Sequence, residues 1–61
     1  MQYKKDNIKE NILFVSKNEF LEKDFSNTSI RNIALKSKVS SSNIYNYFKN
    51  KNEIFEEIIS P

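Results

Sequence analysis

The 61-residue chain contains no cysteine, no histidine and no glycine, and each absence excludes a class of chemistry. Without cysteine there is no disulfide and no thiolate nucleophile. Without histidine as well, an ordinary zinc site, a Ser-His-Asp triad and a Cys-His dyad are excluded. Without glycine, the chain cannot form the Gly-rich loops that cradle phosphates. We therefore expect no enzymatic activity, no metal and no cofactor.

Long hydrophobic runs are also missing from the sequence. The longest unbroken apolar run covers residues 12–15, far short of the roughly 20 residues that a membrane-spanning helix needs. No apolar stretch or small-residue cleavage site follows Lys4 and Lys5 near the N-terminus. The sequence therefore predicts a cytoplasmic protein with no membrane partner.

Charge is distributed unevenly along the chain, although the formal net charge is only +2. Residues 1–24 have a net charge of zero, and residues 53–61 carry acids and no base. Residues 25–52 contain basic residues and no acid, and a surface of that kind attracts polyanions such as nucleic acid. The alternative is a solvated face whose acids lie elsewhere by chance. The basic residues are Arg31, Lys36, Lys38, Lys49 and Lys51.

Only one small domain fits into this length, and its apolar periodicity is helical throughout. Apolar residues recur at three- and four-residue steps, which predicts an all-α fold, a small bundle of three helices plus the start of a fourth. The predicted helices cover about residues 6–23, 29–37, 41–49 and 51–60. Their predicted N-caps are Asp6, Thr28, Ser40 and Asn50, the last with a capping-box partner in Glu53. All five phenylalanines are expected in the core.

The second and third predicted helices are short and are joined by residues 38–40, which favours a helix-turn-helix. In the third helix Ile44 and Phe48 lie one turn apart and would face the core. The remaining positions carry hydroxyl, amide, phenol or ammonium groups: Ser41, Ser42, Asn43, Tyr45, Asn46 and Lys49. Such a face suits the major groove of DNA, where Asn can bond adenine and an aromatic ring can touch the thymine methyl.

Three segments together resemble the N-terminal domain of TetR-family transcriptional regulators: residues 28–34 (TSIRNIA), 38–40 (KVS) and 44–55 (IYNYFKNKNEIF). The shared pattern is a Thr-Ser-hydrophobic start, an Ile-Ala pair, a Val-Ser turn and Tyr-x-Tyr-Phe followed by Lys-x-x-hydrophobic. The resemblance covers about residues 8–59. It implies a homeodomain-like helix-turn-helix that binds double-stranded operator DNA in a transcriptional regulator, expected to be a repressor.

The chain departs from the family pattern at three positions that usually hold glycine. These are the end of the first helix, the turn, and the start of the third helix, occupied here by Asp24, Lys38 and Ser42. The resemblance implies that Asp24 and Lys38 adopt left-handed backbone angles without glycine, at a local energetic cost.

The resemblance also implies roles for individual residues. Thr28 would cap the second helix and contact a phosphate, and Lys51 would contact another phosphate from the start of the fourth helix. Ser40 and Ser41 would lie at the DNA backbone where the third helix enters the groove. The other implied contacts are with bases for Ser42, Asn43 and Asn46, and with phosphates for the hydroxyls of Tyr45 and Tyr47.

In TetR-type regulators a longer helical C-terminal domain dimerises and binds an inducer. The resemblance therefore implies a homodimer only in a longer chain that carries this domain, and an inducer that these 61 residues do not bind. One alternative stays open, a small helical interaction module without DNA binding. It would dock on another protein through Ile54, Phe55, Ile58 and Ile59.

Overall fold

The computed structural model describes residues 7–60, which form four α-helices and no β-strand. The helices are α1 (Ile8–Asn27), α2 (Ile30–Ser37), α3 (Ser41–Tyr47) and α4 (Lys51–Ile59). The predicted all-α class is confirmed, whereas the predicted cap Asp6 and the terminal Pro61 lie outside the described residues. None of the four helices is long and apolar enough to cross a membrane.

The hydrophobic core takes one fully buried isoleucine from each helix. Ile12, Ile33, Ile44 and Ile54 expose no surface, and Phe48, directly after α3, is 3% exposed. Burial of each such side chain contributes roughly 1.5–3 kcal/mol to stability. Because α1 contacts all three other helices, this small core fixes the position of α2 and α3.

A second cluster of aromatic rings joins the end of α1 to α4. The ring centroids of Phe20, Phe25 and Phe55 lie 5.3–5.5 Å apart, and Phe55 meets each of the others edge to face. The prediction that Phe14 belongs to the core is wrong, since its side chain is 57% exposed. Phe14 lies two residues after Ile12 on α1, which is more than half a turn around the helix, so it points away from the core.

Both positions predicted to have left-handed backbone angles have positive φ. Asp24 has φ 64° and ψ 172°, which breaks α1 one residue after the predicted end at 23, and residues 25–27 add one further turn. Its carboxylate accepts a hydrogen bond from the Asn27 backbone N–H at 3.1 Å. Lys38 has φ 60° and ψ 31°, in the left-handed helical region, and ends α2.

Side-chain caps define where the three later helices begin. Ser40 and Asn50 are confirmed as caps, since each side chain accepts a backbone N–H three residues on. The prediction of Thr28 as the cap of α2 is wrong by one residue, because the Ser29 hydroxyl accepts from the Asn32 N–H at 3.1 Å. At the other end of the motif, α3 stops at Tyr47 rather than 49, because Phe48 has extended backbone angles.

Candidate nucleic-acid interface

The helix-turn-helix consists of α2, residues 38–40 and α3. After the left-handed Lys38, the Val39 N–H donates to the Ala34 carbonyl at 3.2 Å and closes the end of α2. From α1, the half-buried Asn11 donates its Nδ2–H to the Ser37 carbonyl at 2.9 Å. This bond ties the end of α2 to α1. It was not predicted from the sequence, although Asn11 is a polar residue beside the core position Ile12.

Most of the predicted DNA-contacting residues come together on α3 and its N-cap. Because a seven-residue helix is only about 10 Å long, their side chains lie within two turns of one another. Ile44 and Phe48 turn into the core, and the remaining face carries hydroxyl and amide groups and no charge. Exposed on it are Ser40, Ser42, Tyr45 (52%), Asn46 and Tyr47 (41%), with Ser41 and Asn43 half-buried.

Two hydrogen bonds organise the polar face of α3. The Ser40 hydroxyl accepts the Asn43 backbone N–H at 3.1 Å, as a cap does. One turn later, Asn46 donates its Nδ2–H to Oδ1 of Asn43 at 3.3 Å. The three residues follow one another at three-residue spacing along one side of the helix, so the Asn46 side chain is bound to the side chain of Asn43, whose backbone N–H is bound by the cap.

The basic residues of the acid-free segment 25–52 differ in whether they form salt bridges. Lys36 binds the carboxylates of Glu19 and Glu22, with Nζ–O distances of 2.8 and 4.0 Å. Within residues 7–60, the only cations in salt bridges are Lys23 and Lys36. Arg31, Lys38 and Lys49 are exposed and belong to the acid-free part of the sequence, so they supply the positive charge near α2 and α3.

Thr28 and Lys51 lie together, but at the junction of α1, α2 and α4 rather than on α3. The Lys51 ammonium donates to the carbonyls of Phe25 and Thr28, at 2.5 and 2.8 Å, and lies 4.2 Å from the centroid of the Phe25 ring. The Lys51 side chain therefore links the start of α4 to the end of α1, and its ammonium is already bound within the domain.

The Thr28 side chain also points inward. It is 2% exposed, and its hydroxyl lies 2.8 Å from the Asp24 carbonyl and 3.2 Å from the Glu19 carbonyl, as a donor to both. The hydroxyl thus stabilises the chain where α1 breaks. Ser29, whose side chain is exposed, occupies the capping position that was predicted for Thr28.

An ion pair between the buried carboxylate of Glu19 and the exposed Lys36 joins α1 to α2. The Glu19 side chain is only 2% exposed, and its carboxylate is held by Lys36 and by Lys23, the latter at 3.2 Å. The hydrogen bond from Lys36 lowers the pKa of the Glu19 carboxyl below its ordinary value of 4.5, against the opposing effect of burial. Glu19 raises the pKa of Lys36 in return. The role of Glu19 was not predicted from the sequence, because nothing local distinguishes Glu19 from the exposed acids of α1.

A family model described as bacterial regulatory proteins of the tetR family matches residues 12–58. The match runs from the first core isoleucine of α1 into the last turn of α4, and it includes the whole helix-turn-helix. No curated protein and no solved structure matches the chain. The chain therefore belongs to the TetR family of bacterial regulatory proteins, and the four helices form its N-terminal helix-turn-helix DNA-binding domain.

Proposed function

We propose that this domain binds one half-site of a double-stranded DNA operator sequence-specifically, as the DNA-reading part of a TetR-type repressor. The observation that supports the proposal most is the exposed face of α3. Its side chains are short or planar hydrogen-bonding groups, and the core residues Ile44 and Phe48 hold that face outward. Hydroxyls, amides and aromatic rings are among the groups that contact base edges in the major groove.

Phosphate contacts would supply most of the affinity. Arg31, Lys38 and Lys49 are exposed and have no salt bridge within residues 7–60, so binding DNA would cost them no existing ion pair. The hydroxyls of Tyr45 and Tyr47, and those of Ser40 and Ser41, are proposed as further phosphate contacts. Ser42, Asn43 and Asn46 are proposed to take part in base recognition.

Two of the residues first expected at phosphates have weaker support. The Thr28 hydroxyl is buried and donates to backbone carbonyls, and the Lys51 ammonium donates to two carbonyls. We therefore propose that Lys49, which is exposed two residues before Lys51, makes the phosphate contact on this side of the domain.

As in other regulators of this type, we propose that a C-terminal domain in a longer chain forms the homodimer and binds the inducer. A dimer would bind two half-sites about one helical turn of DNA apart, or a multiple of that spacing. Chromosomal DNA as the partner implies a location in the bacterial cytoplasm. The single domain should bind weakly, because it makes only the contacts of its own half-site.

The alternative of a protein-interaction module has less support in the structure. Of the α4 residues proposed for docking, Ile54 is fully buried in the core, Phe55 and Ile58 are half-buried, and only Ile59 is exposed, at 62%. A stripe that already packs on α1 leaves little apolar surface for a partner.

Titration of a labelled duplex at several salt concentrations tests the proposal. The logarithm of the binding constant should fall linearly with the logarithm of salt concentration, with a slope of about −0.9 for each phosphate neutralised. Lys49→Ala should weaken binding to all duplexes and reduce this slope by about 1. Lys17→Ala, an exposed lysine of α1, is the matched control and should leave the slope unchanged. Binding that does not depend on salt would contradict the proposal.

A further inference from the structure

We propose that Asn46 contacts an adenine of the operator half-site and that Asn43 is a positioning residue that orients the Asn46 amide for this contact. The inference rests on the proposed function, since it concerns the same face of α3. It adds the chemical identity of the base, and it assigns different roles to the two asparagines.

The hydrogen bond between the two amides leaves Asn46 with a defined set of free groups. A carboxamide has two N–H bonds and one carbonyl oxygen. Asn46 uses one N–H on Oδ1 of Asn43, at 3.3 Å, so one N–H and its own Oδ1 are left. In the major groove adenine presents an acceptor at N7 beside a donor at N6, which is the complement of that pair.

The surroundings of the two residues separate their roles. Asn43 is half-buried in the first turn of α3, and its backbone N–H is bound to the Ser40 hydroxyl at 3.1 Å. Asn46 lies one turn further along and is exposed. Because Asn43 is half-buried and bound to the cap through its backbone, whereas the Asn46 side chain is exposed, Asn43 serves as the support and Asn46 as the contacting group.

The composition of α3 also disfavours guanine at this position. Guanine presents two acceptors, N7 and O6, and its usual partners are Arg and Lys. Residues 41–47 contain neither. If Asn46 approached guanine in the same way, its Oδ1 would face O6, and two acceptors would oppose each other. The amide therefore distinguishes the two purines at their 6-position.

The test begins with selection of the preferred duplex from a random library, using the 61-residue chain. One set of variant duplexes then replaces a single A·T pair by G·C at each position in turn. A second set replaces a single adenine by 7-deazaadenine, which lacks the N7 acceptor. At one position we expect G·C to weaken binding about 5- to 140-fold, the usual range for a bidentate base contact. Deazaadenine should weaken binding several-fold at the same position. Asn46→Ala should lose both effects there, while Asn18→Ala, an exposed asparagine of α1, should keep them.

The role of Asn43 is tested by base preference rather than by affinity. Asn43→Ala frees the Asn46 amide to rotate and should reduce discrimination at the base pair that Asn46 contacts. Asn43→Asp keeps an acceptor at the same place, so it should retain the preference for adenine even though its negative charge lowers affinity for every duplex. Circular dichroism of both variants should show unchanged helix content.

Three results would overturn the inference and leave the proposed function intact. The first is a preferred duplex in which no position combines an A·T requirement with sensitivity to Asn46→Ala. The second is a change of preference at a different base pair in Asn43→Ala, which would make Asn43 a base contact itself. The third is equal loss of preference in Asn43→Ala and Asn43→Asp. Salt-independent binding with no preferred duplex would instead overturn the proposed function.

Discussion

The carboxylate of Glu19 in α1 is buried and lies 2.8 Å from the ammonium group of Lys36 in α2. Lys36 belongs to the acid-free basic segment, so this ion pair neutralises one of the positive charges that were expected to attract DNA. A buried carboxylate without a cation is destabilising, and Lys36 together with Lys23 supplies the compensating charge for Glu19. The pair therefore serves to hold α2, the first helix of the motif, against α1.

The Glu19–Lys36 pair predicts a specific dependence of stability on pH. The pKa of Glu19 is lower in the folded state than its ordinary value of 4.5, so its stabilising contribution is complete above that pH. The contribution is lost as the pH falls through the lowered pKa. Glu19→Gln should remove this part of the acid dependence. Urea denaturation of both proteins from pH 7 down to pH 2 measures it, and a difference in free energy of unfolding that stays constant below pH 4.5 would contradict the prediction.

Ser16 is a second buried polar residue, and we expect its replacement by alanine to stabilise the domain. Its side chain is 0% exposed, and its hydroxyl oxygen has no hydrogen-bond partner within residues 7–60. An unsatisfied buried hydroxyl costs about 1–3 kcal/mol, and alanine also has the higher helix propensity. Ser16→Ala should raise the thermal midpoint. Ser16→Val tests whether space is limiting and should be less favourable, since it adds volume to a packed site.

Asp24 adopts backbone angles that glycine accepts and other residues avoid. With φ 64° and ψ 172°, an L-residue costs about 1–3 kcal/mol. Asp24→Gly should therefore increase the free energy of unfolding by about 1 kcal/mol, after the loss of the exposed hydrogen bonds to Asn27. Lys17→Gly, in the regular part of α1, is the control and should lower it by about 1 kcal/mol. Equal destabilisation by both changes would show that Asp24 carries no backbone strain.

We expect Lys51 to stabilise the fold and Lys49 to bind DNA. Lys51→Ala removes two hydrogen bonds from a charged donor and leaves the carbonyls of Phe25 and Thr28 without it, so we expect a loss of about 1–3 kcal/mol in stability. Lys49→Ala should leave stability within about 0.5 kcal/mol, as for an ordinary surface substitution, and weaken DNA binding. Denaturant unfolding and duplex titration of both variants measure the difference. A Lys51→Ala variant of unchanged stability would contradict the structural role.

Local patterns in the sequence determined the number and type of the helices and several of their ends. The spacing of Ile33, Ile44 and Phe48 predicted which faces turn inward, because a helix repeats every 3.6 residues whatever surrounds it. The caps Ser40 and Asn50 were predictable for the same reason, since a capping side chain binds a backbone group only three residues away. The strained positions Asp24 and Lys38 followed from the family resemblance.

Contacts between distant segments were decided only by the tertiary structure. The partners of Lys51 lie 23 and 26 residues away, and Asn11 reaches the end of α2 across 26 residues. The same holds for Glu19 and Lys36, and for the burial of Thr28 where α1 breaks. A lysine in sequence is simply a cation; whether it faces solvent, a carboxylate or a pair of carbonyls depends on how the helices pack. For that reason the sequence alone identified the polar face of α3, whereas the use of the lysines around it required the folded domain.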